Sequence, residues 1–168
     1  MDGYLFDASA LSAYLNEGHT YHASATAKID ALPSESLKLV SIITLAEIDY
    51  GVRLAEHAGS KRLEEYRQRL DVIKRYAPLP LTNHTSETYA ELKARIASHM
   101  RQRPKKKFPR WIEDWIDNNS AKHLQIDEND LWICAQAKER DLILVTGDAD
   151  IRRLASYDPD LRILLTRD

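Results

Sequence analysis

With one cysteine, Cys134, the chain cannot close an internal disulfide or assemble a multi-thiolate zinc centre, and its six histidines are scattered without ligand spacing. Transition-metal chemistry through nitrogen or sulfur is set aside on that ground. No apolar run approaches the roughly 18 residues a membrane helix needs, so no membrane partner is expected. The segment Met1-Asp2-Gly3-Tyr4-Leu5-Phe6-Asp7 lacks the basic stretch and long apolar core of a secretory signal, which places the chain in the cytoplasm. Internal repeats and low-complexity linkers are also missing. A net charge of -2 says nothing in favour of a polyanionic partner. What is present is 43% apolar and 30% charged residues in a chain of 168, enough for a substantial core and the make-up of one folded domain over 1–168.

The charge is unevenly placed. Arg101, Arg103, Lys105, Lys106, Lys107 and Arg110 fall together with no acid among them, a local cationic patch able to track phosphates. After it, Trp111, Ile112, Trp115 and Ile116 recur at i, i+1, i+4 and i+5, which predicts a helix with one apolar face, suited to packing or partner binding rather than base stacking.

Elsewhere short apolar runs ending in a polar residue alternate with segments of helical period, the signature of an α/β domain with a mainly parallel sheet. Strands are expected at Tyr4-Leu5-Phe6, at Leu37 to Ile43, at Leu142 to Val145 and at Arg162 to Leu165, with Ala77 to Leu81 a short edge strand at best because of Pro78 and Pro80. Helices are expected after Asp7, from about Thr44, around Leu63 to Ile73, over Thr85 to His99 and from Asn129.

Three carboxylates stand where a strand gives way to a helix: Asp7, Glu47 and Asp148; Asp130 opens another helix. Each has an ordinary explanation, since acids at a helix start cap free amides and offset the macrodipole. Thr44-Leu45-Ala46-Glu47 has capping-box spacing, Asp127 can cap the helix that holds Asp130, and Asp148 or Asp150 can cap the last helix. Ser9 reads as an N-cap or as a hydroxyl that orients a carboxylate, and Thr146 has the same two meanings. Asp127 and Glu128 lie near in sequence, but only Asp150 is retained as an accessory acid. Ligands of open parallel sheets bind beyond the carboxyl ends of the strands, where such acids converge. Gathered carboxylates repel, and a hard cation holds them ionised; oxygen-only ligation suits Mg²⁺ or Mn²⁺, and the chemistry that follows is phosphodiester hydrolysis without a histidine or lysine base.

Four blocks carry a resemblance: Tyr4-Leu5-Phe6-Asp7-Ala8-Ser9-Ala10-Leu11, Ser41-Ile42-Ile43-Thr44-Leu45-Ala46-Glu47-Ile48-Asp49-Tyr50-Gly51, Asn129-Asp130-Leu131-Trp132-Ile133-Cys134-Ala135-Gln136-Ala137 and Leu144-Val145-Thr146-Gly147-Asp148-Ala149-Asp150. In this order and spacing the chain resembles a PIN domain, and more narrowly a VapC-type toxin of a bacterial or archaeal toxin–antitoxin pair. The resemblance implies a three-layer α/β/α sandwich with a central mainly parallel sheet, and a Mg²⁺- or Mn²⁺-dependent endoribonuclease leaving a 5′ phosphate. It implies catalytic acids at Asp7, Glu47, Asp130 and Asp148, metal ligation by Asp7, Asp130 and Asp148, and a supporting hydroxyl at Ser9. A homodimer restrained by a cognate antitoxin crossing the acidic groove, often with an Arg near the metal, is implied as well. Two features depart from the pattern. The stretch 101–119 looks like an insertion, and at the fourth acid both Asp148 and Asp150 offer carboxylates, with Ile151 where many relatives have an aromatic. Beside the toxin stand two other expectations: a PIN-type nuclease of RNA maturation, or a non-catalytic scaffold that binds a partner through the Trp111/Trp115 face.

Overall fold

The computed structural model describes residues 2–101 and 108–167, so the predicted contacts at Arg103, Lys105, Lys106 and Lys107 lie outside the described residues. Five strands, β1 (Gly3–Phe6), β2 (Leu37–Ser41), β3 (Ala77–Leu79), β4 (Ile143–Thr146) and β5 (Arg162–Leu165), form one sheet in the order β3-β2-β1-β4-β5. Every pairing is parallel, with Leu5 opposite Leu39 on one side and Leu144 on the other. Seven α-helices accompany it among the described residues: α1 (Ala8–Leu15), α2 (His22–Asp30), α3 (Ile42–His57), α4 (Leu63–Ile73), α5 (Asn83–Ser98), α6 (Glu128–Glu139) and α7 (Ala149–Arg153).

Strand alternation divides the core into two layers. Tyr4, Phe6, Val40 and Val145 face α1, α2 and α4 through Ala10, Leu11, Ile29 and Ile73. Leu5, Leu39, Leu79 and Leu144 face the other way, onto Leu92 and Ile96 of α5 and Leu131 and Cys134 of α6. The molecule is therefore a three-layer α/β/α sandwich, and each fully buried Leu or Ile in it contributes about 1.5–3 kcal/mol of transfer free energy.

Four expectations need correction. The second strand ends at Ser41, not Ile43, because the Ser41 hydroxyl accepts the Ile43 amide at 3.0 Å and starts α3 two residues before Thr44. Ser41 is fixed there by donating to the buried Gln136 side chain on α6. Thr44 consequently lies inside α3, buried, and forms no capping box with Glu47. Helix α2 was not foreseen: among its nine residues only Ala25 and Ile29 are buried, too few to print a helical period.

The apolar helix expected at 111–116 does not form. Trp111 and Trp115 are extended, flanking a single 3₁₀ turn over Ile112–Asp114. Long-range pairing decides the matter: the Arg101 amide donates to the Ile116 carbonyl at 2.7 Å, and the Leu124 amide to the Trp115 carbonyl at 2.8 Å. Ile112 and Trp115 turn into the core while Trp111 is left 50% exposed, so the predicted common face is split.

Candidate active site

Strand order reverses around β1: the chain leaves β1 for β2 and β3 on one side and reaches β4 and β5 on the other. A crevice opens at such a switch point, beyond the carboxyl ends of the strands. A pocket of about 350 Å³ occupies it, with Asp7, Glu47, Asp130 and Asp148 on its walls, Ser9 and Ser12 beside Asp7, and Ile48, Ile133 and Ile151 as apolar backing. Thus the four predicted acids, carried by the turn after β1, by α3, by α6 and by the turn after β4, line one cavity. A larger depression of about 410 Å³ lies between the end of α1 and α4, where both arginines are engaged, Arg62 by Glu65 and Arg69 by Glu65 and Asn16.

Capping and convergence are both real. Asp7 is the N-cap of α1, accepting the Ala10 amide at 2.8 Å, so of the two readings of Ser9 the cap is the one that fails. Ser9 instead donates to the Asp7 carboxylate, 2.9 Å from either oxygen, and accepts the Gly147 amide at 2.8 Å. Thr146, fully buried, donates to Asp7 Oδ2 and accepts the Asp148 amide at 2.9 Å. These two hydroxyls lash the β1 and β4 turns together. Gly147 makes a close fit at that seam, where a Cβ would meet the Ser9 hydroxyl at 3.2 Å and press it aside by a few tenths of an ångström.

Asp130 forms a reciprocal box with Asp127, its amide donating to Asp127 Oδ1 at 2.9 Å and its Oδ2 accepting the Asp127 amide at 3.0 Å. Asp148 caps α7 through Oδ1, which accepts the Asp150 amide at 2.8 Å. Each spends one oxygen on a helix. Glu47 accepts from the Asn129 amide side chain at 2.8 Å. Asp150 is committed elsewhere: its Oδ1 meets Arg153 at 3.0 Å, and the same guanidinium donates to the His123 carbonyl at 3.0 Å. Glu128 is likewise engaged, by Lys93 and Tyr89.

The electrostatics bear on chemistry. Burial raises the Asp7 carboxyl to about 6; bonds from Thr146, Ala10 and Ser9 oppose the rise and the charge of Asp148 adds to it. Burial also raises Asp130, to about 7, with the charges of Asp127, Asp7 and Asp148 adding to it. Glu47 is raised by burial, against the Asn129 bond, and again the Asp127 charge pushes upward. Behind them the buried Cys134 thiol is pushed well above its ordinary range by burial and by the same aspartates, which makes it a packing residue rather than a nucleophile.

Among the described residues no three acids, histidines or cysteines stand close enough to make a ready-built metal cage. The donor set still fits a hard cation of the magnesium kind, which takes one or two carboxylates and keeps several waters, and whose charge would relieve the repulsion that raises Asp7 and Asp130.

Sequence reasoning missed Asn129 as the partner of Glu47, although it adjoins Asp130; it missed Arg153, whose i, i+3 spacing from Asp150 was the available signal. Of the predicted cationic contacts, Arg101 and Arg110 are exposed and do not line the pocket.

The family model described as PIN domain matches residues 4–157. No curated protein matches the chain. Among solved structures it is similar to VapBC2 from Rickettsia felis bound to a promoter DNA fragment, with 21% identity, a TM-score of 0.64 and coverage of 96% of this chain and 97% of that one. It is similar to DNA-bound VapBC from Salmonella typhimurium at 17% identity, TM-score 0.64 and 99% of each chain. The sarcin–ricin-loop-cleaving toxin VapC20 from Mycobacterium tuberculosis follows at 12% identity, TM-score 0.51 and coverage of 89% and 93%. At these identities the likeness is one of fold.

Proposed function

The chain belongs to the PIN domain family, and from that premise we propose that it is a divalent-metal-dependent endoribonuclease acting as the VapC-type toxin of a toxin–antitoxin pair. The observation that carries this reading is the gathering of four acids from four separate elements around one crevice at the sheet's switch point. The similar folds of VapBC toxins support the toxin role, and the sarcin–ricin-loop cleavage carried out by VapC20 supports RNA as the substrate. On the same reading the chain is one PIN domain with an insertion at 101–119, works in the cytoplasm as a homodimer and is restrained by a cognate antitoxin.

Asp7, Asp130 and Asp148 would hold Mg²⁺ or Mn²⁺, with Asp150 withheld by its pairing to Arg153. The bound ion supplies the Lewis acidity that makes water nucleophilic at neutral pH and offsets charge on the phosphate. Ser9 and Thr146 hold the Asp7 carboxylate in a fixed plane, so it faces the crevice without rotamer loss when substrate arrives. Glu47, raised by burial and steadied through Oε1 by Asn129, is placed to take the proton of the attacking water on Oε2. Products ending in a 5′ phosphate follow from water attack with the 3′ oxygen as leaving group.

Replacing Asp7 by Asn tests the reading. Cleavage of total RNA in Mn²⁺ should fall at least about a thousandfold, growth inhibition should vanish, and the circular dichroism spectrum should stay unchanged. A D7N protein cutting RNA at the same sites would overturn it. The scaffold alternative has lost its basis, since Trp115 is buried and shares no face with Trp111.

A further inference from the structure

Trp111 is a large apolar residue that the fold leaves in solvent. Half of a tryptophan stands in solvent while its neighbours Ile112 and Trp115 are buried at 0% and 6% exposure. The Arg110 guanidinium lies over its ring, 4.7 Å from the centroid, and both residues are exposed. Such a pairing of a flat cation with an open indole is the arrangement that takes up nucleobases, because every base has a π-face and every nucleotide a phosphate.

Among the described residues the surroundings lean cationic: Arg101, Arg110 and Lys122 are exposed, against Glu113 and Asp114, while Asp117 is buried and bonded internally. The platform is also anchored. Trp115 donates its indole N–H to the Pro109 carbonyl at 3.0 Å, fixing the backbone just before Arg110. The returning run bonds Gln125 to the Glu113 carbonyl at 3.2 Å and then enters Asp127, the cap of the helix that carries Asp130. Arg153 ties the His123 carbonyl to the helix capped by Asp148. A ligand held at Trp111 is therefore held by a segment attached to both acidic turns.

We propose that Trp111 and Arg110 form a contact for single-stranded RNA, distinct from the acidic crevice, in which a base stacks on the Trp111 ring and Arg110 takes the adjoining phosphate. The choice of RNA rests on the nuclease reading above; the stacking chemistry stands on the exposed Arg–Trp pair. Recognition of this type reads unstacked bases with little sequence preference and confines the enzyme to loops and single strands. The four cations between Arg101 and Arg110 that fall outside the described residues are no part of the proposed contact.

The test is a fluorescence titration of the full chain with a short oligouridylate in EDTA, so that binding is read without cleavage. The oligonucleotide should quench tryptophan emission. W111A should remove most of that quench and weaken binding about tenfold or more, W111F should keep most of the affinity, and R110A should lower the salt dependence of binding. Equal affinity of W111A and parent would overturn the proposal, as would quenching by an acidic peptide and not by RNA. Cleavage assays in Mn²⁺ separate the two readings. Quenching that depends on Trp111 in a chain that cuts no RNA supports the contact and overturns the nuclease. Cleavage abolished by D7N with RNA binding indifferent to W111A does the reverse.

Discussion

Asp7 in the crevice and Asp117 in the 101–119 segment show little surface, 4% and 3%, yet Asp7 lies deep in the protein and Asp117 just beneath its surface; each accepts bonds from backbone amides and hydroxyls. Their protons behave oppositely. Asp117 is held down at about 2, first by the Ser120 amide, with the Tyr157 hydroxyl and the Asn119 amide adding to it. Asp7 is pushed up to about 6, because burial outweighs its three donors and Asp148 stands nearby. Three donors keep a shallow acid ionised, whereas the same number do not offset deep burial beside a second carboxylate. That contrast separates architecture from chemistry in this molecule.

The widest gap between the two regions should appear in activity. While D7N should remove the proposed cleavage, D117N should leave kcat within about twofold, measured on the same RNA; a large loss in D117N would mean the 101–119 segment shapes the acidic centre directly. Next comes Thr146→Val, which keeps the volume but removes the hydroxyl that donates to Asp7. We expect kcat to fall about 10–100-fold, with the acidic limb of the pH–rate profile moving to higher pH, because the lost bond favoured ionised Asp7. A uniform loss without that shift would reduce Thr146 to packing.

Stability should invert the order. D117N should lose about 2 kcal/mol from weakened amide bonds, whereas D7N in EDTA near neutral pH should melt no lower than the parent, since a repelled charge is gone. The pH dependence follows the same division. Asp7 and Asp130 have folded values of about 6 and about 7, above their unfolded value of 3.8, so they bind a proton more tightly when folded. In EDTA the Tm should therefore rise as pH falls through 7 and 6, and Mg²⁺ should flatten that rise. Asp117 has a folded value of about 2, below 3.8, so its contribution is complete above pH 3.8 and is lost as pH falls towards 2. A Tm in EDTA that drops steadily between about pH 8 and pH 5 would break the comparison.

Arg153→Met should give the smallest effect. It frees Asp150 and loosens the His123 carbonyl together, so Mn²⁺ affinity by calorimetry should change by a few-fold at most if Asp148 is the fourth ligand; a large change would hand that place to Asp150.

The crevice was legible because its residues are fixed by local punctuation. Asp7, Asp130 and Asp148 sit at helix starts, where a short polar residue after an apolar run announces both the turn and the acid. The sheet was legible for the same reason, save where Ser41 pre-empted Thr44 as the cap because Gln136, far along the chain, holds its hydroxyl. The run from Trp111 to Ile116 was misread since its period of apolar residues is accidental. Partners such as Arg101 for Ile116 and Tyr157 for Asp117 lie too far off in sequence to leave a local pattern. Asn129 and Arg153 escaped because their meaning depends on which acid they reach.

The bond from Thr146 to Asp7 spans 139 residues, and β1 gains its β4 neighbour across the same interval. A ribosome making this chain extrudes Asp7 early, yet the strand that completes its surroundings arrives only after most of the polypeptide has been synthesised. Until then the first acid has neither its clamp nor its companions. Non-local closure of this kind is slow, so an unfinished chain, or a truncated product that lacks the fourth strand, carries the first acidic motif without an assembled crevice.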